Sequence, residues 1–188
     1  MNFRKIVPVL MLSVIISAQS FANNSNPENG KKNTAIVKKT DKTIVSVAAS
    51  NSNFTTLVAA VKAAGLVDVL NSKGPFTVFA PVNDAFGKLP KGTVATLLKP
   101  ENKKLLTAIL TYHVVAGKFK AADVVKAIKS NGGKFVISTV QGGKLTASLK
   151  NGKVILTDVK GNVSNIVLTD VAASNGIVHA IDTVVMPQ

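Results

Sequence analysis

Apolar residues at helical spacing dominate the first part of the chain. In the stretch NFTTLVAAVKAAG, apolar residues recur at positions i, i+3, i+4 and i+7 between Phe54 and Val61, which is the spacing of one helix face. Asn53 is the residue type that caps a helix start, and Gly65 is the type that ends one. The pattern therefore predicts a helix that begins after Asn53 and ends at Gly65.

A short apolar run then interrupts the helical pattern. Residues Phe76 to Phe79 lie between two prolines and are rich in aromatic and β-branched types, which predicts a short buried strand. The following segment, VNDAFGKL, predicts another helix. We expect Asn83 to cap that helix and Asp84 to lie in its first turn, where a negative charge suits the helix dipole.

Three further helical segments follow before the pattern changes. GTVATLLKPENKKLLTAILTYHVV predicts two of them, and AADVVKAIKSNGG predicts a last one that the Asn-Gly-Gly sequence ends. The apolar residues of the second segment form two neighbouring edges: Leu105, Ile109 and Tyr112 on one, and Leu106, Leu110 and His113 on the other.

From Lys134 onward the apolar period becomes two. KFVISTV, KLTASLK, KVILTDV and NIVLTDV have strand length and are separated by glycine-containing turns. Asn151-Gly152 is typical of a tight type I′ hairpin. The run from Asn175 to Pro187 is apolar on both faces, which predicts a central, buried strand. Helices first and antiparallel strands last indicate a single α+β domain.

The closing run carries two polar residues, His179 and Asp182, that invite a catalytic interpretation. Alternation along a strand places them on opposite faces, so a direct Asp–His pair is disfavoured. We expect a framework role for each, because buried polar groups need partners. Asp84 or backbone groups around Phe76–Phe86 are the predicted partners of His179.

Asp182 and the remaining histidine pose the same question. We expect Asp182 to accept hydrogen bonds from backbone N–H groups or from Tyr112. His113 is expected to be a framework residue as well, with Tyr112 beside it as a candidate for surface contact. No zinc-ligand spacing, phosphate loop or Gly-x-Ser-x-Gly pattern occurs, so we predict no enzymatic activity, no metal and no cofactor.

The N-terminal residues have the pattern of an export signal. A basic start at Arg4 and Lys5, an apolar run and small residues before Ala22 predict a signal peptide over 1–22. Residues 23–42 are polar and predict a flexible leader, and the domain is expected over 43–188. No transmembrane segment is expected after cleavage. We predict an exported bacterial protein, periplasmic or extracellular, and a monomer.

Charge and cysteine content narrow the function classes. The chain has 23 basic residues against 9 acids and no cysteine, which excludes disulfides and thiolate chemistry. Every basic residue after Lys5 is a lysine. The absence of arginine there argues against specific nucleic-acid recognition, whereas lysines suit loose attraction to anionic polysaccharide or lipid surfaces, or serve solubility alone.

Three motifs together resemble the fasciclin-like domain family. FTVFAPVNDAF (76–86) looks like its first conserved box, LTYHVV (110–115) like its Tyr-His segment, and NGIVHAIDTVVMP (175–187) like its second box. The resemblance covers about residues 41–187. Val82 departs from the Thr or Ser of many members, which shifts the capping role to Asn83.

The resemblance implies a β-wedge of two sheets packed with helices and a secreted or surface role in adhesion or matrix contact. In animal members, positions that correspond to Tyr112, His113 and Asp182 are tied to receptor binding. The expected function is therefore a non-enzymatic module that binds an unknown protein, matrix, envelope or host surface. The alternative is a carrier or sensor of a small apolar or lipid ligand, which predicts an apolar pocket of roughly 300 Å³ or more.

Overall fold

The computed structural model describes residues 41–188 of the chain. The predicted signal peptide (1–22) and all but the last two residues of the predicted leader (23–42) lie outside the described residues. Within them, seven α-helices are α1 (Ile44–Ala49), α2 (Thr55–Ala64), α3 (Val67–Asn71), α4 (Asn83–Gly87), α5 (Thr93–Leu97), α6 (Lys103–Tyr112) and α7 (Ala121–Ser130). Two 3₁₀ turns, Ser52–Phe54 and Pro100–Asn102, precede α2 and α6.

Seven strands form one hydrogen-bonded series. They are β1 (Phe76–Pro81), β2 (Val114–Ala116), β3 (Lys134–Ser138), β4 (Lys144–Lys150), β5 (Lys153–Thr157), β6 (Val163–Ala173) and β7 (Gly176–Ile181). Their order in space is β2-β1-β7-β6-β5-β4-β3. β1 and β7 run parallel, although they stand at opposite ends of the domain sequence, and every other neighbouring pair is antiparallel.

The long strand β6 joins the two halves of this sheet. Its first residues pair with β5, up to Asn165, and its later residues pair with β7 from Ile166 onward. The two sheets that the resemblance implied are therefore connected through one shared strand. The α+β class is confirmed, with helices concentrated in the first half and strands in the second.

The central strand pair separates two apolar cores. Val78 of β1 and Val178 of β7 face the core built with α1, α2 and α6, whereas Phe79 and Ile181 face the core beneath α7. All six residues of β7 are buried. The prediction that the closing run is apolar on both faces and central is confirmed, because each face of β7 covers a different core.

Two helix-capping predictions are wrong. Helix α4 begins at Asn83 itself and has no side-chain cap. The Asn83 side chain instead accepts hydrogen bonds from the backbone N–H of Thr56 and the hydroxyl of Thr55, both at 3.1 Å, at the start of α2. Asn53 does not cap α2, because a 3₁₀ turn capped by Asn51 occupies that place. The Asn83 amide therefore caps a helix that starts 28 residues earlier in the chain.

The predicted turn residues adopt the expected conformations. Asn151 (φ 51°) and Gly152 (φ 75°) connect β4 and β5 with the positive dihedrals of a type I′ hairpin. Gly65 ends α2 in the left-handed region at φ 71°. These local signals are reliable because few other residue types tolerate such dihedrals.

Candidate functional site

Tyr112 is a core residue. Its side chain is fully buried at the end of α6, and its hydroxyl donates a 2.6 Å hydrogen bond to the carbonyl of Lys144. Burial raises the pKa of the Tyr112 hydroxyl above its ordinary value. The ring lies against Gly143, where a Cβ atom would come within 2.5 Å of Cε2. Tyr112 therefore joins α6 to the β3–β4 connection and offers no surface for a partner.

His113 is buried next to it and holds two segments together. Its Nδ1 lies 2.8 Å from the carbonyl of Ile109, and its Nε2 accepts a 3.2 Å hydrogen bond from the backbone N–H of Val185. Since Nε2 accepts, Nδ1 carries the proton and donates to Ile109, so the ring is neutral. Burial lowers the pKa of His113 to about 4, against the upward effect of the Ile109 carbonyl.

His179 lies on the opposite core and bonds to backbone groups. Its ring stacks on Phe79 with centroids 5.8 Å apart. Nδ1 accepts from the N–H of Asp170 at 3.2 Å, and Nε2 lies 2.8 Å from the carbonyl of Phe119, to which it donates. The prediction that a buried His179 has hydrogen-bond partners is confirmed, and its framework role stays a prediction. The predicted partners are wrong, because Asp84 and the backbone around Phe76–Phe86 make no hydrogen bond to this ring.

Asp170 provides one of the two hydrogen-bond partners of His179 through its backbone N–H. This residue lies in an irregular part of β6 with φ 58°, between the paired residues Leu168 and Val171. Its carboxylate accepts a 2.9 Å hydrogen bond from the backbone N–H of Ala121 at the start of α7. A non-glycine residue at positive φ inside a strand leaves no signal in the sequence beyond the tolerance of aspartate for that region.

Asp158 is a second structural carboxylate that sequence reasoning missed. It is 6 % exposed and accepts from the backbone N–H groups of Lys160 and Asn162 and from the Asn162 side chain, all at 2.9 Å. It also accepts from the N–H of Met186 at 3.0 Å, which ties the C-terminal segment to the β5–β6 turn. The sequence DVKGN carries the signal of such an Asx turn.

Asp182 differs from the buried residues because part of its side chain reaches the surface. Its carboxylate accepts from the backbone N–H of Asn165 at 2.8 Å, the Asn165 side chain at 2.9 Å and the Thr183 hydroxyl at 3.0 Å. Lys88 lies 3.3 Å away as an ion pair. The prediction of a backbone N–H donor is confirmed, whereas Tyr112 is not a partner. Burial alone would raise the pKa of Asp182, but the bonds from Asn165, Thr183 and Lys88 outweigh it and lower the pKa to about 2.

Three of the predicted residues meet in one open surface groove. The groove, called here the Asp182 groove, has a volume of about 450 Å³ and is lined by Asn53, Val82, Asn83, Asp84, Lys88, Val167 and Asp182. Asp84 is exposed, and its carboxylate makes no hydrogen bond or ion pair within residues 41–188. The structure thus separates the six predicted residues into a groove set (Asn83, Asp84, Asp182) and a core set (Tyr112, His113, His179).

The two residues that first suggested catalysis do not meet. His179 is 1 % exposed and bonds to Phe119 and Asp170, whereas Asp182 bonds to Asn165, Thr183 and Lys88 on the other side of the sheet. Across residues 41–188, no three histidine or carboxylate side chains are grouped so that they could hold a metal ion. In the same part of the chain, no helix is long and apolar enough to cross a membrane.

One apolar cavity of the domain is small. It lies among α1, α2 and the central strands, beside His113, and has a volume of about 30 Å³. This is far below the roughly 300 Å³ that a small-molecule pocket requires. This cavity therefore gives the carrier hypothesis no support.

The three sequence motifs (76–86, 110–115 and 175–187) all lie within a family match. The Fasciclin domain model matches residues 52–187. The chain belongs to the Fasciclin domain family. Among its relatives, Protein sll1483 of Synechocystis sp. (strain ATCC 27184 / PCC 6803 / Kazusa) is 53% identical over 145 residues, which cover 77% of this chain and 73% of that protein. Immunogenic protein MPB70 of Mycobacterium bovis is 44% identical over 149 residues, covering 76% and 68%.

A solved structure has the same fold. The FAS1 domain pair from the insect cell adhesion molecule Fasciclin I superimposes with a TM-score of 0.69 at 20% identity, over 77% of this chain and 50% of that one. In this fasciclin domain, the Tyr-His segment packs inside, and Tyr112 and His113 are 0% and 2% exposed. Of the three positions that the resemblance linked to receptor binding, Asp182 alone reaches the surface.

Proposed function

We propose that this fasciclin domain is an exported, non-enzymatic interaction module that binds a partner protein through the Asp182 groove. The observation that carries the proposal is the presence of two carboxylate side chains, Asp84 and Asp182, in the lining of one groove. Asp182 is held in place by Asn165, Thr183 and Lys88, and Asp84 projects from the first turn of α4 without a partner in the described residues.

The groove is built from rigid elements, which favours binding. Asn83 anchors α4 to the start of α2, so the position of Asp84 depends on two helices rather than on a loop. Val167, which is 57% exposed, adds an apolar contact on the rim. A surface with carboxylates, an amide and an apolar side chain suits a peptide or protein loop that presents basic or amide donors.

Export and adhesion fit the rest of the molecule. The signal pattern of residues 1–22 directs the chain out of the cytoplasm, and the lack of cysteine means that the domain does not depend on disulfide formation there. The similarly folded Fasciclin I pair comes from a cell adhesion molecule.

A matched pair of double variants tests the groove. Asp84→Ala with Val167→Ser removes one acid and one exposed valine from the groove. Asp68→Ala with Val69→Ser makes the same changes on α3, where Asp68 also lies in a first helical turn and Val69 is 50% exposed. The measurement is attachment of protein-coated beads to envelope and host-cell surfaces, in parallel with thermal melting.

The groove variant should lower attachment at least tenfold while its melting temperature stays within a few degrees of the control variant. Equal attachment by both variants would show that the groove is not the binding surface. Attachment that is absent even for the unmodified protein would contradict the adhesive function itself.

A further inference from the structure

Strands β3, β4 and β5 present one face to solvent that carries only positive charge. Their inward residues are core residues, such as Ile137, Leu145 and Leu156. Because side chains alternate, the residues between them point outward. The outward set includes four exposed lysines, called here the lysine face: Lys134, Lys144, Lys150 and Lys153.

Within residues 41–188, no carboxylate forms an ion pair with these lysines. The sequence contains no aspartate or glutamate between Asp123 and Asp158, and the Asp158 carboxylate is buried in its own turn. None of the four lysines forms an ion pair within residues 41–188; the ion pairs of that part of the chain involve Lys88 and Lys99. The face therefore keeps its full charge for an external anion.

Two of the lysines face each other directly. Lys150 and Lys153 are cross-strand partners beside the Asn151-Gly152 turn. Like charges at opposite positions of an antiparallel pair destabilise the hairpin. Lys134 is paired with Ser148, two residues along the same strand from Lys150, so a third positive charge lies close by. The repulsion between these lysines lowers the stability of the isolated protein, and a bound polyanion would relieve it.

The face also supplies neutral hydrogen-bonding groups along its length. Thr146 and Ser148 lie on β4 between Lys144 and Lys150, and their hydroxyls make no hydrogen bond within residues 41–188. The six-residue separation of those two lysines corresponds to about 20 Å along a strand. Charges and hydroxyls in a row of that length match several units of an extended, repeating anionic chain.

The chemistry favours a polysaccharide over nucleic acid or membrane. The lysine face carries no aromatic side chain for base stacking, because Phe135 points inward and packs against Phe119. Its exposed apolar content is slight, with Val136 as its large exposed apolar residue, so it lacks the apolar surface that inserts into a lipid interface. Lysine is a flexible point charge, which suits carboxylate or sulfate groups at variable positions.

We propose that the lysine face binds an anionic polysaccharide that carries sulfate or carboxylate groups. The inference goes beyond the proposed function, because it assigns a partner class to a second surface of the same domain. It involves none of the residues that line the Asp182 groove, and the two surfaces are tested with different variants and different ligands.

Binding of the purified protein to immobilised dextran sulfate and to alginate, at low and at high salt, provides the test. The variant Lys150→Gln/Lys153→Gln should bind about 10- to 30-fold more weakly, at roughly fivefold for each lysine near an anionic surface. The control Lys91→Gln/Lys104→Gln has the same net charge, and both of its lysines are exposed outside β3–β5. It should bind within about twofold of the unmodified protein, and binding should weaken as salt rises.

A single charge reversal adds a measurement that distinguishes lost polysaccharide binding from lost folding. Lys153→Glu places an acid opposite Lys150, so the melting temperature should rise by roughly 1–3 °C while polysaccharide binding falls. Equal weakening in the sheet and control variants would overturn the proposal, because the charge would then act without a defined site. Unchanged polysaccharide binding by both Lys150→Gln/Lys153→Gln and Lys153→Glu would also overturn the proposal.

Two further arms separate the alternatives. Stronger binding to phosphatidylglycerol vesicles than to either polysaccharide would assign the face to a membrane and overturn the proposal. The groove variant Asp84→Ala/Val167→Ser should keep full binding to dextran sulfate. If this variant keeps both its binding to dextran sulfate and its attachment to cells, the proposed function of the groove is contradicted, whereas the proposal for the lysine face is not.

Discussion

The backbone N–H of Val185 donates a hydrogen bond to Nε2 of His113, 3.2 Å away in a fully buried site. This bond joins the end of α6 to the C-terminal segment of the domain. The same ring donates from Nδ1 to the Ile109 carbonyl, so both nitrogen atoms are used and no position remains for a second proton. The folded protein therefore favours the neutral form of His113.

Stability should therefore fall as the solution is acidified. The pKa of His113 is about 4 in the folded protein and 6.5 without perturbation, so its contribution is complete above pH 6.5 and is lost as pH falls toward 4. A shift of that size corresponds to about 3 kcal/mol of folding stability.

Denaturant unfolding between pH 7.5 and 4 measures this loss of stability. His113→Gln should start from a lower free energy of unfolding and show a much flatter pH dependence in that range. An equal slope in both proteins would contradict the assignment.

His179→Ala should lower the free energy of unfolding by about 2–4 kcal/mol. The substitution leaves the Phe119 carbonyl and the Asp170 N–H without their partner and removes the ring that stacks on Phe79. Chemical denaturation measures the loss. Asp84→Ala is the control, since the sequence suggested Asp84 as the partner; it should change stability by no more than about 0.5 kcal/mol. Similar losses of stability in His179→Ala and Asp84→Ala would instead support Asp84 as the partner of His179.

Asp182→Asn should destabilise the domain by about 1–2 kcal/mol at pH 7, because charge-assisted hydrogen bonds from Asn165 and the ion pair with Lys88 become neutral ones. The pKa of Asp182 is about 2 in the folded protein, below the ordinary value of 3.8 for an aspartate side chain. The contribution of Asp182 is therefore present above pH 3.8 and lost as pH falls toward 2, a lower window than that of His113. Acid unfolding of the variant should lack this step, and its persistence would assign the step to another carboxylate.

Gly143→Ala should cost about 1–3 kcal/mol, because the added methyl group would come within 2.5 Å of the Tyr112 ring, which is fixed by its bond to Lys144. Gly87→Ala is the matched control. No atom lies within 4 Å of its added Cβ, and Gly87 belongs to α4, so alanine there should be neutral or stabilising. Thermal melting of the two variants separates the steric effect from the general effect of replacing glycine. Similar melting temperatures would show that the Tyr112 ring can move aside.

Local patterns in the sequence predicted most of the elements. The helical stripe from Phe54 to Val61, the period-two strands and the Asn151-Gly152 turn all appear as expected, because each depends on neighbours within a few residues. Leu105 is an exception. It shares a helix edge with Ile109 and Tyr112 but is 52% exposed, since no other element covers the start of that edge. Periodicity identifies an apolar edge, whereas burial requires a second surface.

The hydrogen-bond partners of the buried polar residues were less predictable from the sequence than their need for a partner. Alternation correctly separated His179 from Asp182, and desolvation correctly required a hydrogen-bond partner for the buried ring. The partner itself is set by Phe119 and by the irregular β6 residue Asp170, which lie 60 and 9 residues away in sequence. Likewise the Asn83 amide caps α2 instead of its own helix, because folding brings the start of α2 within reach.

By itself, the sequence determined the α+β class, the family motifs, the buried closing strand and the excess of lysine, since these depend on residue type, spacing and composition. The tertiary structure alone decided which polar residues face solvent. It placed Tyr112, His113 and His179 in the cores and gathered Asn83, Asp84 and Asp182 at one groove. The physical reason is that burial and pairing arise from contacts between residues that are distant in sequence, which no local pattern encodes.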